Sequence, residues 1–172
     1  MQRIEGLFAA VRAAGQHLEW RGRAGLPAYA HEVGQQLSGH FGCSHASLWW
    51  LTGTAGRQSL RCLGGSAAWP GVAGEVCEQQ AFPLYFERLL GQGMFRCADT
   101  HADARLRGLE PPRWRAMLDM GGPINGRIAG VIALAQADQP REWTRAEELD
   151  LRRITARVCL QLHAWRPEPQ PA

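Results

Sequence analysis

Two carboxylates and one imidazole lie within a five-residue stretch of the chain, at Asp99, His101 and Asp103. Side chains of these types can hold a divalent cation. Aspartate also caps helices and forms polar turns, which is its commoner role at such a position. We therefore predict capping and turn formation here, keep the lining or gating of a pocket as the alternative, and predict no metal site.

A second set of residues combines aromatic and apolar side chains with a few polar ones. Small-molecule sites have this mixture, although an ordinary core also contains aromatic side chains and methionine. Trp49 and Trp50 are adjacent, so on a strand one faces the pocket and the other the opposite side. The candidate ligand-contacting residues are Trp50, Arg61, Tyr85, Phe86, Arg96, Asp99, His101, Asp103, Met117 and Asp119.

The five cysteines, at positions 43, 62, 77, 97 and 159, show no pattern of a known cysteine site. Their number is odd, their spacing is irregular and no CxxC pair occurs. A disulfide framework and a structural zinc site are therefore not predicted, and reduced thiols in a cytoplasmic protein are expected. For Cys97 a buried, inert thiol is favoured over a reactive one. The sequence leaves the reactivity of Cys77 and Cys97 open.

The composition excludes several classes of protein. The chain has 172 residues, of which 45% are hydrophobic and 20% charged, and its formal net charge is +3. That charge is too small to indicate nucleic acid, and no nucleic-acid motif occurs. No window resembles a membrane span. We predict neither nucleic acid nor a membrane as a partner.

The elements that must position these residues can be predicted from periodicity and turn signals. Thr144 with Glu147 forms a capping box that starts a long closing helix, and Asn125-Gly126 is a hairpin signal. This order of elements indicates an α+β protein with five or six mainly antiparallel strands and helices on both faces of the sheet. The predicted helices cover residues 3–20, 27–39, 82–90, 113–118 and 145–165, and the predicted strands cover 45–52, 58–63, 94–98, 120–124 and 128–135.

Three segments in this order resemble GAF domains, the small sensor modules found ahead of bacterial diguanylate cyclases and histidine kinases. FPLYFERLL at 82–90, followed by MFRCADTHADAR at 94–105, resembles a GAF helix and the Asp-rich turn after it. MLDMGGPINGRIAGVIAL at 117–134 resembles the paired central strands. PREWTRAEELDLRRITARV at 140–158 is similar to the closing helix.

The resemblance implies a six-stranded antiparallel sheet. One face would be covered by the terminal helices, and on the other face short helices and loops would roof a small-molecule pocket. It further implies a dimerisation helix at residues 1–22 and a GAF-like domain at 27–165. The proline-rich composition of residues 166–172 predicts a disordered tail.

The apolar stripes of the terminal helices could pack on the chain's own core or pair with a partner helix. The terminal helices of GAF proteins commonly pair in dimers, and the resemblance therefore favours a homodimer. The expected interface residues are Ile4, Leu7, Phe8, Val11, Leu18, Leu151, Ile154, Val158 and Leu162.

The resemblance implies a non-enzymatic, cytoplasmic, bacterial signalling domain that binds an unidentified small molecule or a partner protein. Its output partner would be a protein such as a kinase or a diguanylate cyclase. The alternative is a degenerate GAF adaptor without a small ligand. A third hypothesis is a thiol enzyme that resembles free methionine sulfoxide reductases, with Cys77 in the comparable loop. No cofactor is predicted, because the Cys-His pair of bilin-binding GAF domains does not occur.

Overall fold

The computed structural model describes residues 2–67, 73–106 and 114–165, so the tail at 166–172 lies outside the described residues. Described residues form four α-helices and six strands. The helices are α1 (Gln2–Arg21), α2 (Leu26–Phe41), α3 (Pro83–Gln92) and α4 (Arg145–Ala164). The strands are β1 (His45–Thr54), β2 (Arg57–Gly65), β3 (Val76–Glu78), β4 (Met94–Cys97), β5 (Ala116–Ile124) and β6 (Arg127–Gln136).

The six strands form one antiparallel sheet in the order β3-β2-β1-β6-β5-β4. Sequence neighbours pair in the hairpins β1–β2 and β5–β6, and β1 joins β6 at the centre. The predicted α+β class and the six-stranded antiparallel sheet are confirmed. None of the helices among the described residues is long and apolar enough to cross a membrane.

One face of the sheet is covered by α2 and α4, and α1 packs across both of these helices. α2 lies on β1 and β2, while α4 lies on β5 and β6. The buried side chains between them form what we call the helix-side core. It includes Val11, Leu18, Val33, Leu37, Leu48, Leu118, Met120, Ile132, Leu134, Leu151, Ile154 and Val158.

The terminal helices therefore bury their apolar stripes inside the monomer. Of the nine residues expected at a dimer interface, eight are at most 8% exposed: Ile4, Leu7, Val11, Leu18, Leu151, Ile154, Val158 and Leu162. Phe8 is partly exposed and packs against the same core. The assignment of the eight buried residues to an interface is wrong, because their apolar surface is already covered. The homodimer stays a prediction, and its contact would have to use a different surface of the protein.

The opposite face of the sheet is covered by α3 and the short turn at Ala104–Leu106. Pro83 starts α3 and Gly93, in a left-handed conformation, ends it. The amphipathic helix turns its buried face to the sheet. The α3-side cluster, as we call it, contains Trp49, Leu51, Leu60, Cys62, Tyr85, Phe86, Leu89, Phe95, Cys97, Leu106 and Val131.

Two local predictions are wrong. Residues 116–118, predicted as part of a helix, belong to β5, and residues 107–113 lie outside the described part of the chain. Alanine, methionine and leucine favour helices, but here Met117 and Leu118 pair with both β4 and β6, and Ala116 pairs with β6. β3 was not predicted, because three residues are too few to show an alternating pattern. The Thr144–Glu147 capping box is confirmed.

Candidate functional site

A buried tyrosine–aspartate pair lies between α3 and the sheet. Tyr85 points down from α3, and Asp119 points up from the second-last strand, β5. The Tyr85 hydroxyl donates a hydrogen bond of 2.7 Å to Oδ2 of Asp119. Tyr85 is 6% exposed and Asp119 only 1%. The two residues are 34 positions apart in sequence, so the fold brings them together.

The second oxygen of the Asp119 carboxyl group has no hydrogen-bond partner among the described residues. Burial raises the pKa of Asp119, and the hydrogen bond from Tyr85 lowers it by a smaller amount, so that the resulting pKa is about 7. Burial also raises the pKa of Tyr85 well above its usual value, and the Asp119 charge adds to that effect. A carboxyl group that titrates near neutrality and retains a free acceptor oxygen is typical of functional sites.

The strand register places two small residues, on β6 and β1, on one side of Asp119 and a large one, on β4, on the other side. Phe95 of β4 pairs with Asp119, Asp119 pairs with Ala133 of β6, and Ala133 pairs with Ser47 of β1. Ala133 packs against the α3-side cluster but remains partly exposed, even though β6 is a central strand. We call this partly exposed position at Ala133, next to the buried carboxylate, the opening of the layer. We call Tyr85, Asp119 and Ala133 the carboxylate site.

Four of the ten predicted ligand-contacting residues lie in this layer. Tyr85 and Phe86 are buried on α3, Asp119 is buried on β5, and Met117 is partly buried on the same strand face. Sequence reasoning missed Ala133. β6 contains several small residues, so Ala133 does not stand out in the sequence, and only the strand register places it beside Asp119.

Three other predicted residues are on the wrong side of the sheet. Trp49 belongs to the α3-side cluster, so Trp50 faces the terminal helices, where it lines a small hollow with Cys159 and His163. Arg61 is exposed and alternates with Leu60 and Cys62, which face α3.

Arg96, on the edge strand β4, also faces the helices. It forms an ion pair of 3.0 Å with Glu148 of α4. The assignment of Trp50, Arg61 and Arg96 to a pocket beneath α3 is therefore wrong, because strand alternation turns all three away.

The turn that carries the remaining predicted residues uses its carboxylates to hold arginines. Asp103 pairs with Arg105, whose hydrogen bond is the main cause that lowers the Asp103 pKa to about 2. Asp99 pairs with Arg115 at 3.1 Å and accepts from the backbone N–H of His101. The His101 side chain is exposed. Within the described ranges, no group of three or more potential ligands is placed to hold a metal ion.

The thiols do not show the activation that nucleophilic chemistry needs. Burial raises the pKa of Cys43 to about 11 and the pKa of Cys77, Cys97 and Cys159 to about 12 each. None of the five cysteines, all of which lie in the described ranges, forms a disulfide. The charge of Asp119 contributes to the raised pKa of Cys77, so this thiol lies within electrostatic range of the carboxylate site. A thiol with such a pKa holds almost no thiolate at neutral pH.

Comparison with known proteins rests on structure. No family model and no curated protein matches the sequence. The GAF domain from Acinetobacter phosphoenolpyruvate-protein phosphotransferase matches with a TM-score of 0.63 at 14% identity, over 92% of this chain and 90% of that one. The phycocyanobilin-bound GAF domain from a cyanobacterial phytochrome matches with a TM-score of 0.71 at 10% identity, over 96% and 98%.

An enzyme also shares the architecture. The type II free methionine-R-sulfoxide reductase from Thermoplasma acidophilum matches with a TM-score of 0.63 at 11% identity, over 83% of this chain and 96% of that one. At such identities these similarities are similarities of fold, and function has to be argued from the residues of the site.

Proposed function

Because the chain has the GAF fold, we propose that it is a non-enzymatic signalling or regulatory domain that binds a small molecule between the sheet and α3. The observation that carries this proposal is the carboxylate site. A buried acceptor oxygen without a partner among the described residues, next to the partly exposed Ala133, is a ready polar contact within a largely apolar layer. Ligand sites are built in this way, from apolar walls and few polar groups.

Strand β5 links the carboxylate site to the terminal helices. Asp119 faces α3, whereas its neighbours Leu118 and Met120 lie fully buried in the helix-side core beneath α4. A shift of the strand at Asp119 therefore moves side chains against which α4 packs. We propose that ligand binding biases α4, and through it α1, in this way. Such a mechanism requires that the ligand bind two helix arrangements with different affinities.

A second link runs through the edge of the sheet. Arg105, which pairs with Asp103, also donates a hydrogen bond of 3.1 Å to the carbonyl oxygen of Arg96. Arg96 in turn holds Glu148 on α4. The turn on the α3 side is thus connected to the closing helix through charged groups, and Glu148 is itself buried.

The proposed coupling can be tested by hydrogen exchange in the Asp119→Asn variant at pH 8. Removing the buried charge stabilises the protein at pH 8 and should slow exchange throughout the fold, but the slowing in β5 and α4 should exceed that in α2 by about fivefold or more, the lower end of typical couplings between sites. α2 serves as the reference, because it lies on β1 and β2. A slowing in α4 that is no larger than that in α2 would rule out a relay through α4.

The adaptor hypothesis remains the second candidate, and one observation favours it. Phe86, Leu89 and Phe95 are fully buried between α3 and the sheet, so large side chains occupy much of that layer. In this alternative the domain binds a partner protein and no small molecule. The thiol-enzyme hypothesis loses support, because four of the five thiols have pKa values of about 11 or above.

We further propose that the domain acts in a bacterial cytoplasm as a homodimer and passes its signal to an output protein such as a kinase or a diguanylate cyclase. With the apolar stripes of α1 and α4 buried, we place the contact on the apolar side chains that α4 still exposes. Leu149 is 40% exposed and Leu160 is 60% exposed. They are three helical turns apart, and so lie close to one face of α4.

A further inference from the structure

The feature that calls for a specific ligand chemistry is Oδ1 of Asp119. We infer that the ligand is a nitrogen base that donates an N–H hydrogen bond to this oxygen. The inference rests on the proposed function, since it specifies what binds at the carboxylate site. It goes beyond that function because it states the chemical class of the ligand.

The need for a donor follows from the pairing of the carboxyl group. Tyr85 donates to Oδ2, and Asp119 is 1% exposed, yet Oδ1 has no partner among the described residues. Buried polar atoms in proteins nearly always have hydrogen-bond partners, and an exception requires an explanation. An N–H group of a ligand supplies the missing bond, and a protonated nitrogen also balances the buried charge.

The described charged groups around the layer disfavour an anionic ligand. The two arginines described on its margin are already paired: Arg105 with Asp103, and Arg115 with Asp99. The pKa of Asp119 is set by burial and by Tyr85, and no basic side chain of the described ranges contributes to it. An acid placed here would meet a carboxylate without a compensating positive charge, which is strongly unfavourable in a buried site.

The surrounding side chains indicate an apolar body for the ligand. Phe95 is fully buried beside Asp119, Val131 belongs to the same cluster, and Met117 is partly buried on the same face of β5. The opening is at Ala133, where the side chain is smallest. A flat aromatic ring that carries an amine or amidine group matches apolar walls with one buried acceptor.

Three aromatic probes of similar size and different charge test the inference: benzamidine, benzyl alcohol and benzoate. Binding would be followed at pH 8 by the amide NMR signals of β5 and β6, with each probe titrated to millimolar concentration. We expect benzamidine to bind at least about tenfold more tightly than the other two, the size of effect that one charge-assisted hydrogen bond gives. The shifts should centre on Asp119 and Ala133.

Matched variants separate the carboxylate from the rest of the layer. Asp119→Asn should weaken benzamidine binding about tenfold or more, and Ala133→Leu should abolish it by filling the opening. Glu87→Gln makes the same carboxyl-to-amide change on the exposed side of α3 and should leave binding unchanged. Unchanged binding of benzamidine to both site variants would overturn the inference.

The outcomes also distinguish this inference from the proposed function. If benzoate or benzyl alcohol binds at β5 and β6 as tightly as benzamidine, the layer takes small molecules but the nitrogen-base inference is wrong. If none of the three probes shifts these signals, both the inference and the small-molecule function are contradicted, and the adaptor alternative gains.

Discussion

Replacing Asp119 with asparagine is expected to make the protein progressively more stable than the wild type as the pH rises from 5 to 8. The pKa of Asp119 is raised to about 7 in the folded state, whereas an unfolded chain has an aspartate pKa of about 3.9. Between these values the folded protein holds a proton that the unfolded chain has lost. Asparagine cannot ionise, and its amide keeps an acceptor for the Tyr85 hydroxyl.

The sign and size of this effect follow from proton linkage. A carboxyl group whose pKa is raised by folding stabilises the protein fully below its unfolded pKa, and this contribution is lost as the pH rises to the folded pKa. Between pH 5 and pH 7 the wild type should lose about 2 kcal/mol relative to the variant, because the slope starts at about 1.4 kcal/mol per pH unit and falls to about half of that at the folded pKa. Above pH 7 the difference should level off.

Urea unfolding at pH 5, 6, 7 and 8 measures this difference directly. Glu87→Gln is the matched control, because its carboxyl group is exposed and should give a difference that does not change over the same range. A constant difference between wild type and Asp119→Asn would show that Asp119 is ionised and satisfied throughout, and the carboxylate site would have to be abandoned.

Gly34→Ala is expected to lower the free energy of unfolding by about 2 to 3 kcal/mol, the usual cost of overpacking. α2 crosses the β1–β2 hairpin at this glycine. A Cβ atom on Gly34 would lie 2.5 Å from the backbone nitrogen of Ser66 and 3.0 Å from the carbonyl oxygen of Ala46. These two atoms are joined by a backbone hydrogen bond of 2.8 Å. Backbone atoms cannot rotate away as a side chain can, so the helix or the hairpin has to move.

Gly39→Ala provides the comparison within the same helix. Gly39 is exposed, and a Cβ atom there would meet nothing within 4 Å. It should therefore stabilise the protein by about 0.5 to 1 kcal/mol, because alanine favours a helix more than glycine does. Thermal unfolding of the two variants should show shifts of opposite sign. Two similar shifts would mean that α2 does not pack on the hairpin at Gly34 as described.

The sequence allowed the fold to be predicted because local signals agreed with the tertiary structure over most of the chain. The capping box at Thr144 and the turn at Asn125-Gly126 marked the boundaries of α4 and of the β5–β6 hairpin. The predicted helix at residues 116–118 is wrong because there the local signal disagrees with the tertiary structure. Ala116, Met117 and Leu118 have helix propensity, but the pairing of all three with β6, and of Met117 and Leu118 also with β4, outweighs it.

The candidate site could be predicted only in part. The sequence shows which strand residues share a face of the sheet, but it does not show which of the two faces lies beneath α3. Trp49 and Trp50 were expected to face opposite sides, and they do, but nothing local shows that Trp49 is the one beneath α3. Arg61 and Arg96 were misplaced for the same reason. The terminal helices show a related limit: an apolar stripe has the same pattern whether it packs on its own core or on a partner.

Tyr85 and Asp119 were both selected from the sequence, but their pairing was not. The partners come from a helix and a strand that are separated by β4 and the Asp-rich turn. The free oxygen of Asp119 depends on burial by many side chains, and the opening at Ala133 depends on register. Long-range geometry of this kind is not encoded in local spacing.

Native mass spectrometry of the purified protein, beside the same sample denatured, tests the central claim most directly. Wild type and the Asp119→Asn variant would be compared. The account predicts a dimer that carries additional mass in the wild type, with that mass lost on denaturation and reduced or missing in the variant. A wild type without bound mass, or bound mass that is equal in both proteins, would contradict a small-molecule site at Asp119.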